Sequence, residues 1–520
     1  MRMGRAVWLS AATMASRVLG LVRDQLFAAL VGANRFSDAF VVAFRIPNLL
    51  RDLFAEGALS SAFVPAFAET QATRGREEAY RLANAVAGAI LVLVGAVVLA
   101  GMALAPWIVA ALAPGFGPAE AELTTDLTRI MMPFLLLVSL AAAAMGVLNA
   151  QSRFTAPALA PALFNVAAIA VGLLLWATGQ GPRAAVLGWS FGTLLGGLLQ
   201  LGAQLPSLWA LGYRPRPAMG RAALAHPGLR RIGRLMGAAV VGLSATQVNI
   251  LVNTIFASHE AGANTWLQMA FRLMQLPLGV FGVAIATVAG AGVAQRAAVQ
   301  DQEGVRETLG AAMRLVAFLN VPSTVGLMVL AHPIISLIYE HGRYGPADTA
   351  ATAQALVFYA VGLYGYSAVK VLAPAFYALD EARVPVLGSV LGMAANVVLN
   401  LALWPVLGYR GVALGTSLAA TVNFAVLAVA WKRRHGGMGG AGIFRQLGRC
   451  LAAATAMAAV VWAVHAALGP RLPASGLGRQ APLALLPILA GVAAYFAAAR
   501  ALGIGELGEL RDALRRRRRS

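Results

Sequence analysis

Residues 84–112 read NAVAGAILVLVGAVVLAGMALAPWIVAAL, and no charged side chain occurs from Leu82 to Ala119. A helix crosses the hydrocarbon core with roughly 20 residues, so this stretch is long and apolar enough to span a bilayer. Working outward, comparable runs recur along the chain at 7–31, 36–66, 80–112, 123–150, 157–178, 184–208, 231–257, 265–295, 306–338, 349–378, 385–404, 410–431, 445–468 and 482–503. With 59% hydrophobic and 12% charged residues over 520 positions, a soluble protein is excluded. A membrane β-barrel would show short alternating segments, which are absent. The expected fold is an all-α integral membrane protein of about fourteen transmembrane helices.

The net charge of +20 invites a nucleic-acid reading, but its distribution follows membrane topology. Arg74, Arg76 and Arg81, then Arg153, then Arg214, Arg216, Arg221, Arg230 and Arg231, then Arg296 and Arg306, then Lys432 to Arg434 occupy alternate connections. Both termini are therefore expected on the cytoplasmic side. The final run Arg515 to Arg519 reads as a topology anchor that also touches anionic lipid. Arg17, Arg23 and Asp24 interrupt the first apolar stretch, which reads as a retained helix rather than a signal peptide. Cys450 is the only cysteine, so intramolecular disulfides are excluded, and the six histidines show no ligand spacing.

The chain repeats itself with a period near 227–228 residues. Ala43-Phe44-Arg45 recurs as Ala270-Phe271-Arg272, and Gly117-Pro118-Ala119-Glu120 as Gly345-Pro346-Ala347-Asp348. Pro157 matches Pro385, Trp176 matches Trp404, and Val186-Leu187-Gly188 with Ser190 matches Ala413-Leu414-Gly415 with Ser417. The offset spans six segments, and an even number gives both repeats the same orientation in the membrane. Parallel repeats of this kind build two-lobed alternating-access transporters, with the substrate site between lobes near mid-membrane.

Arg17, Arg23, Arg45, Arg51 and Arg272 fall inside segments that otherwise read as spans. A cation at mid-bilayer costs about 2.5–3.5 kcal/mol on insertion scales, so such residues face a cavity or a partner. Guanidinium groups grip phosphate or carboxylate through two parallel hydrogen bonds. Arg17 and Asp24 lie seven residues apart on one helical face, as do Asp38, Arg45 and Asp52. Those pairs either lock helices or serve a ligand; Arg23 and Arg51 have no acid on the same face and are the better ligand candidates. Arg272 has no acid within two turns on its own segment. Pro47 should kink its helix, with Asn48 available to satisfy freed backbone groups. Lys370 and the amides Asn249, Asn253, Asn396 and Asn400 populate the second repeat, where intramembrane amides serve first as interhelical hydrogen bonds. No catalytic triad, metal constellation or phosphate loop is present, so an enzyme is not expected. Transport must then draw on a gradient or the membrane potential, worth about 2.3 kcal/mol per charge per 100 mV.

Ser16-Arg17-Val18-Leu19-Gly20, Arg23-Asp24, Asp38-Ala39-Phe40, Pro47-Asn48-Leu49-Leu50-Arg51 and Phe54-Ala55-Glu56-Gly57-Ala58 resemble the opening signature of the MurJ (MviN) family. Ala62-Phe63-Val64-Pro65, Ala113-Pro114-Gly115-Phe116, Asn253-Thr254-Ile255-Phe256-Ala257-Ser258 and Lys370-Val371-Leu372-Ala373-Pro374 extend the likeness. That family comprises bacterial lipid II flippases of the multidrug/oligosaccharidyl-lipid/polysaccharide exporter superfamily. The resemblance implies an N-lobe at 1–210, a C-lobe at 211–435, two helices at 436–505 framing a lipid-tail groove, and a basic cytoplasmic tail at 506–520. It implies substrate-binding roles for Arg17, Arg23, Arg51 and Arg272, which would hold the pyrophosphate and acidic peptide of lipid II. Asp24, Asp38, Asn48 and Glu56 match other functionally sensitive positions.

Two departures stand out. Gln275 replaces a glutamate carried by some relatives one turn after the arginine. Asn396, Asn400, Val412 and Thr416 match the spacing of a sodium site of some relatives, with Asn400 in place of its carboxylate, so sodium coupling is not supported. No cofactor is expected. The expected location is the bacterial inner membrane, and the expected partners are lipid II, membrane lipids and the cell-wall synthesis machinery, with no nucleic acid. A flippase for another polyprenyl-pyrophosphate-linked saccharide would share these features. A cation-coupled drug exporter would rely on intramembrane carboxylates instead.

Overall fold

A computed structural model of the chain describes residues 3–52, 59–220, 226–438, 440–473 and 475–508. Every regular element among them is helical, and they fall into two compact units, Met1–Thr265 with His341–Gly345, and Trp266–Glu340 with Pro346–Ser520.

The first unit contains α1 (Met3–Val31), α2 (Arg35–Arg51), α3 (Ser60–Arg74), α4 (Arg76–Ala103), α5 (Ala105–Leu112), α6 (Pro118–Met131), α7 (Pro133–Ala150), α8 (Thr155–Ala177), α9 (Pro182–Gly202), α10 (Leu205–Ala210) and α11 (Pro227–Ala257). Prolines at 106, 118, 133, 182, 206 and 227 sit in the first turns of α5, α6, α7, α9, α10 and α11. There the missing N–H would have had no intrahelical partner, so proline starts a helix without disrupting it. Helix α8 packs against both α1 and α9. On α9, Gly192 and Gly196 lie so close to Val171 and Phe164 of α8 that an added Cβ would come within 3.1 and 2.5 Å. Small residues at such crossings let membrane helices approach closely, where dispersion rather than water exclusion holds them together. Phe63, Phe67, Leu82, Phe134 and Val147 fill the core between α3, α4 and α7.

The second unit contains most of α12 (Ala263–Pro277), a π-helical turn (Leu278–Gly282), α13 (Val283–Ala298), α14 (Gln302–Val329), α15 (Ala331–Tyr339), α16 (Pro346–Ala360), α17 (Leu363–Ala378), α18 (Arg383–Leu407), α19 (Tyr409–His435), α20 (Gly440–Leu468) and α21 (Leu477–Ala501). Leu309, Met313, Val371, Phe376 and Trp431 form its main core. A second cluster joins Phe318 on α14 to Cys450, Met457, Tyr495 and Ala499 on α20 and α21. Tyr495 donates its hydroxyl proton to the Phe318 carbonyl at 2.7 Å, which satisfies the one polar atom that ring brings into the cluster.

The fourteen apolar segments read from the sequence lie mainly in helix where described, with non-helical breaks at Leu104, Met132, Ala203–Gln204, Leu330 and Val361–Gly362. Among the described residues ten helical stretches, some joining two numbered helices, are long and apolar enough to cross a membrane, or eleven with α16 and α17, which bend by 43° at their junction, taken as one span. Helices α1 and α2, together with α3, α5, α11 and α15, fall outside that count. The first two carry the charged residues noted above, and α2 stops after 17 residues. Only Gln247–Ala257 of α11 stands out as a short apolar stretch. The expected 80–112 and 306–338 spans are each broken near one end, at Leu104 and Leu330, into a long and a short helix.

Candidate functional site

Arg23 is held on three sides. Its Nε and Nη2 donate to Asp24 Oδ1 at 3.1 and 2.9 Å, and its Nη1 donates to Asn165 Oδ1 on α8 at 3.1 Å. The Asn165 amide in turn donates to the Ser16 carbonyl at 3.0 Å, tying α8 to the turn of α1 that precedes the arginine. The guanidinium also lies 5.5 Å from the Phe164 ring centre, a cation–π distance. Both members of the Arg23–Asp24 pair are largely buried, with 16% and 17% of their side chains exposed. Arg17, one and two-thirds turns earlier, is exposed.

The pairing differs from the heptad expectation. Asp24 meets its neighbour Arg23 rather than Arg17, and Asp52 meets Arg51, whose Nε and Nη2 donate to Oδ1 at 3.3 and 2.9 Å. Adjacent residues on a helix diverge by 100° and rarely face each other. An arginine is long enough to fold its guanidinium back across that angle, whereas a carboxylate seven residues away lies about two turns, or 10.5 Å, along the axis. Asp38 and Asp52 share a helical face with Arg45, yet among the described residues neither carboxylate meets it. Arg45 Nη1 reaches the Ile250 carbonyl of α11 at 3.5 Å.

Asp38 is fully buried in the first turn of α2 and accepts three hydrogen bonds. Gly262 N–H donates at 2.6 Å, Thr265 N–H at 2.9 Å and the Thr265 hydroxyl at 2.7 Å. Three donors in a dry setting are what a buried carboxylate requires. Arg35 at the start of α2 donates weakly to the Gly115 and Ser258 carbonyls and lies 3.7 Å from Glu120. The neighbouring turn 341–345 closes on α1: Arg343 N–H donates to Ala29 O at 2.9 Å, and Arg343 Nη1 to Leu30 O at 2.6 Å. Gly32 and Gly342 make this approach possible. Both have positive φ, +76° and +61°, and a Cβ at either would press within 2.7 and 2.4 Å of a backbone oxygen. Asn48 is half-buried, and its carbonyl accepts the Asp52 N–H that caps α2. Glu56 lies outside the described residues.

Arg272 sits half-buried on α12 in the second unit. Its neighbour Phe271 meets the rings of Tyr359 and Tyr366 edge-on at 5.2 and 6.3 Å, and Leu273 and Met274 are buried. Asn396, Asn400, Val412 and Thr416 do come together between α18 and α19. Asn400 Nδ2 donates to Asn396 Oδ1 and Asn396 Nδ2 to Thr416 Oγ1, each at 3.4 Å, while Thr416 Oγ1 donates to Val412 O at 2.7 Å. The set is a relay of neutral dipoles, with two amide groups donating where a cation would need oxygens alone.

A family profile described as "Lipid II flippase MurJ" matches residues 27–471. The chain belongs to the MurJ family. It is 36% identical over 429 residues to the probable lipid II flippase MurJ of Vibrio cholerae serotype O1, covering 81% of each chain. It is 34% identical over 514 residues to the corresponding protein of Rhizobium meliloti, covering 97% of this chain and 95% of that one. Among solved structures, "Lipid II flippase MurJ, inward closed conformation" superposes with a TM-score of 0.77 at 24% identity, covering 95% and 98% of the two chains. The chain is thus a multi-pass membrane protein with the MurJ fold.

Within this MurJ family member, reasoning from sequence overlooked Asn165, Phe164 and Thr265. Asn165 was findable: it is the only amide in the apolar segment 157–178, and an isolated polar residue at that depth implies a partner. Two of the three donors to Asp38 are the backbone N–H groups of Gly262 and Thr265, which carry no residue-type signal.

Proposed function

We propose that this chain is a lipid II flippase of the bacterial inner membrane, with both termini cytoplasmic. It moves the lipid-linked peptidoglycan precursor from the cytoplasmic to the periplasmic leaflet by alternating access, as a transporter and not a catalyst. The observation that carries this reading is the family match over residues 27–471, joined to a set of intramembrane arginines suited to an anionic head group. Arg17, Arg23, Arg51 and Arg272 are assigned to the pyrophosphate and the acidic peptide. The Arg23–Asp24 geometry supports that role, because Asp24 occupies the same two-donor edge of the guanidinium that a phosphate would take. An entering phosphate competes with Asp24 for that edge, and Asn165 keeps the guanidinium plane fixed during the exchange. The polyprenyl tail stays in lipid beside α20 and α21. No cofactor is invoked; the membrane potential or an ion gradient supplies the energy. Helices α1 to α10, α11 to α19, and α20 with α21 serve as the two lobes and the tail-side pair.

The test is complementation of a strain depleted of its own lipid II flippase, read by the accessibility of lipid II in each leaflet. Expression of this chain should clear lipid II from the inner leaflet and restore growth. Growth rescue without lipid II reaching the outer leaflet would overturn the proposal. Clearance of a different polyprenyl-pyrophosphate saccharide, with lipid II unmoved, would reassign the substrate.

A further inference from the structure

The first unit also contains a cavity of about 590 Å³ lined by α4, α7 and α11, apart from the arginine cluster on α1 and α2. That volume is in the range of ligand sites, roughly 300–1,000 Å³. Its wall includes Val86 and Ile90 of α4, Leu135 of α7, and Ile232 and Met236 of α11; Ser139 supplies the only hydroxyl among its lining residues. Val92, Leu93 and Val97 line it and are exposed as well. Helix α4 is apolar enough to cross a membrane, so the cavity opens sideways onto hydrocarbon.

One end of this cavity is strongly basic. The lining stripe of α11 runs through Leu229, Gly233 and Gly237, and Arg230 and Arg234 flank it one residue on, four apart on a shared face. Arg214 and Arg216 arrive from the segment after α10, which is bound along α4. Tyr213 hydroxyl and Arg216 N–H each donate to Asn84 Oδ1 at 2.9 Å, and Ala218 N–H donates to Asn84 O at 3.0 Å. Two of the three acids of this end are engaged, Glu69 by Arg231 at 2.7 Å and Glu78 by Arg81 and His226, each at 3.3 Å, while Glu77 is exposed in the first turn of α4. Arg214, Arg216, Arg230 and Arg234 are exposed and make no ion pair among the described residues. An apolar slot beside a helix end where exposed arginines outnumber the acids complements a molecule with an alkyl chain and an anionic head.

We propose that this cavity binds one acyl chain of an anionic phospholipid, with Arg230 and Arg234 on its phosphate. The site is separate from the one assigned to the flipped substrate, and the proposal stands whether or not the chain flips lipid II.

The test is native mass spectrometry of the full-length protein with phosphatidylglycerol or phosphatidylcholine of identical acyl chains, counting lipids retained. Phosphatidylglycerol should be retained at least tenfold more strongly. Each arginine near a lipid surface contributes a factor of about five, so Arg230→Gln with Arg234→Gln should remove most of that preference and leave phosphatidylcholine unchanged. A Cβ at Gly233 meets nothing within 4 Å, so Gly233→Leu should fold, fill the slot and abolish the tight phosphatidylglycerol site. Gly233→Ala, too small to fill it, should bind as wild type and separates cavity filling from helix propensity. Equal retention of the two lipids by the wild type, or full phosphatidylglycerol retention by Gly233→Leu, would overturn the proposal. So would loss in Gly233→Leu of a site that shows no head-group preference, since that describes an apolar ligand instead.

Discussion

Ala43-Phe44-Arg45 and Ala270-Phe271-Arg272 are the same three residues one period apart, and they share packing but not electrostatics. In both, the alanine is wholly buried. In both, the phenylalanine enters an aromatic group of its own unit: Phe44 with Phe40 and Phe134 at 5.9 and 5.7 Å, Phe271 with Tyr359 and Tyr366. The surroundings of the arginines then diverge. Helix α2 carries Asp38 before its arginine and is capped by Asp52, though these acids meet Thr265 and Arg51 rather than Arg45, while α12 carries no acid at all. The second repeated motif behaves alike. Pro118 and Pro346 each start a helix with an acid in its first turn, yet Glu120 faces Arg35 whereas Asp348 accepts the Trp266 indole N–H at 3.2 Å. A repeat preserves what close packing demands, because a core tolerates little change of volume. Charge has more freedom to change, since a carboxylate can be satisfied by several kinds of donor.

The largest expected effect separates the arginines by role. Arg23→Lys and Arg272→Lys keep the charge but lose the two-donor fork, and should lower colony formation of the depleted strain by more than about a hundredfold, the scale of one lost charge-assisted contact in a dry site. Arg45→Lys should retain growth. If Arg45→Lys were as damaging as Arg272→Lys, the division drawn between the two copies would collapse.

Next in size is Gly342→Ala. Its positive φ and the 2.4 Å approach to Ala29 O should cost on the order of 1–3 kcal/mol, read as a lower melting temperature of the purified protein. Gly75→Ala has φ +88° but open space around it, so only the smaller backbone strain should appear. Equal losses in the two would mean that the seam between α1 and the 341–345 turn contributes nothing.

Asn400→Asp would place an acid where the Asn396–Thr416 relay of the second unit has none. It should make stability respond to sodium, raising the melting temperature by a few degrees as the ion is titrated in, because a ligand bound only by the folded state stabilises it by mass action. The unchanged protein should show no such response. A sodium-dependent shift in the wild type would overturn the reading of these amides as a neutral relay.

The smallest effect contrasts the two repeated helix starts. Glu120→Gln removes a partly exposed ion pair worth about 1 kcal/mol or less. Asp348→Asn keeps an oxygen that accepts the indole proton, so the contact with Trp266 should survive and the loss should be smaller. Thermal unfolding of both variants checks the order, and a larger loss at Asp348 would reverse it.

Hydropathy made the helices legible, because twenty apolar residues can do little else in a membrane protein. Their breaks at Leu104 and Leu330 were less visible, lying inside runs that stay apolar on both sides. The five intramembrane arginines announced themselves by cost. Their partners did not: the seven-residue rule pointed Arg17 at Asp24, while the flexible side chain of Arg23 claims that acid from the adjacent position. Asp38 shows the deeper limit. It lies 224 and 227 residues from the groups that satisfy it, and two of its three donors are backbone N–H groups that any residue could present.

That same carboxylate has a consequence for how the chain came to be one chain. Asp38 and Thr265 stand one repeat period apart, so they are the same position in the two copies, and the Thr265 hydroxyl, whose proton goes to Asp38, also lies 2.9 Å from the Ser37 hydroxyl. Two identical subunits meeting there would bring like against like, acid facing acid or hydroxyl facing hydroxyl. Where the two copies have separate sequences, each can change without the other, so that one side serves as acceptor and its twin as donor. The contact is a division of labour that a homodimer could not have evolved.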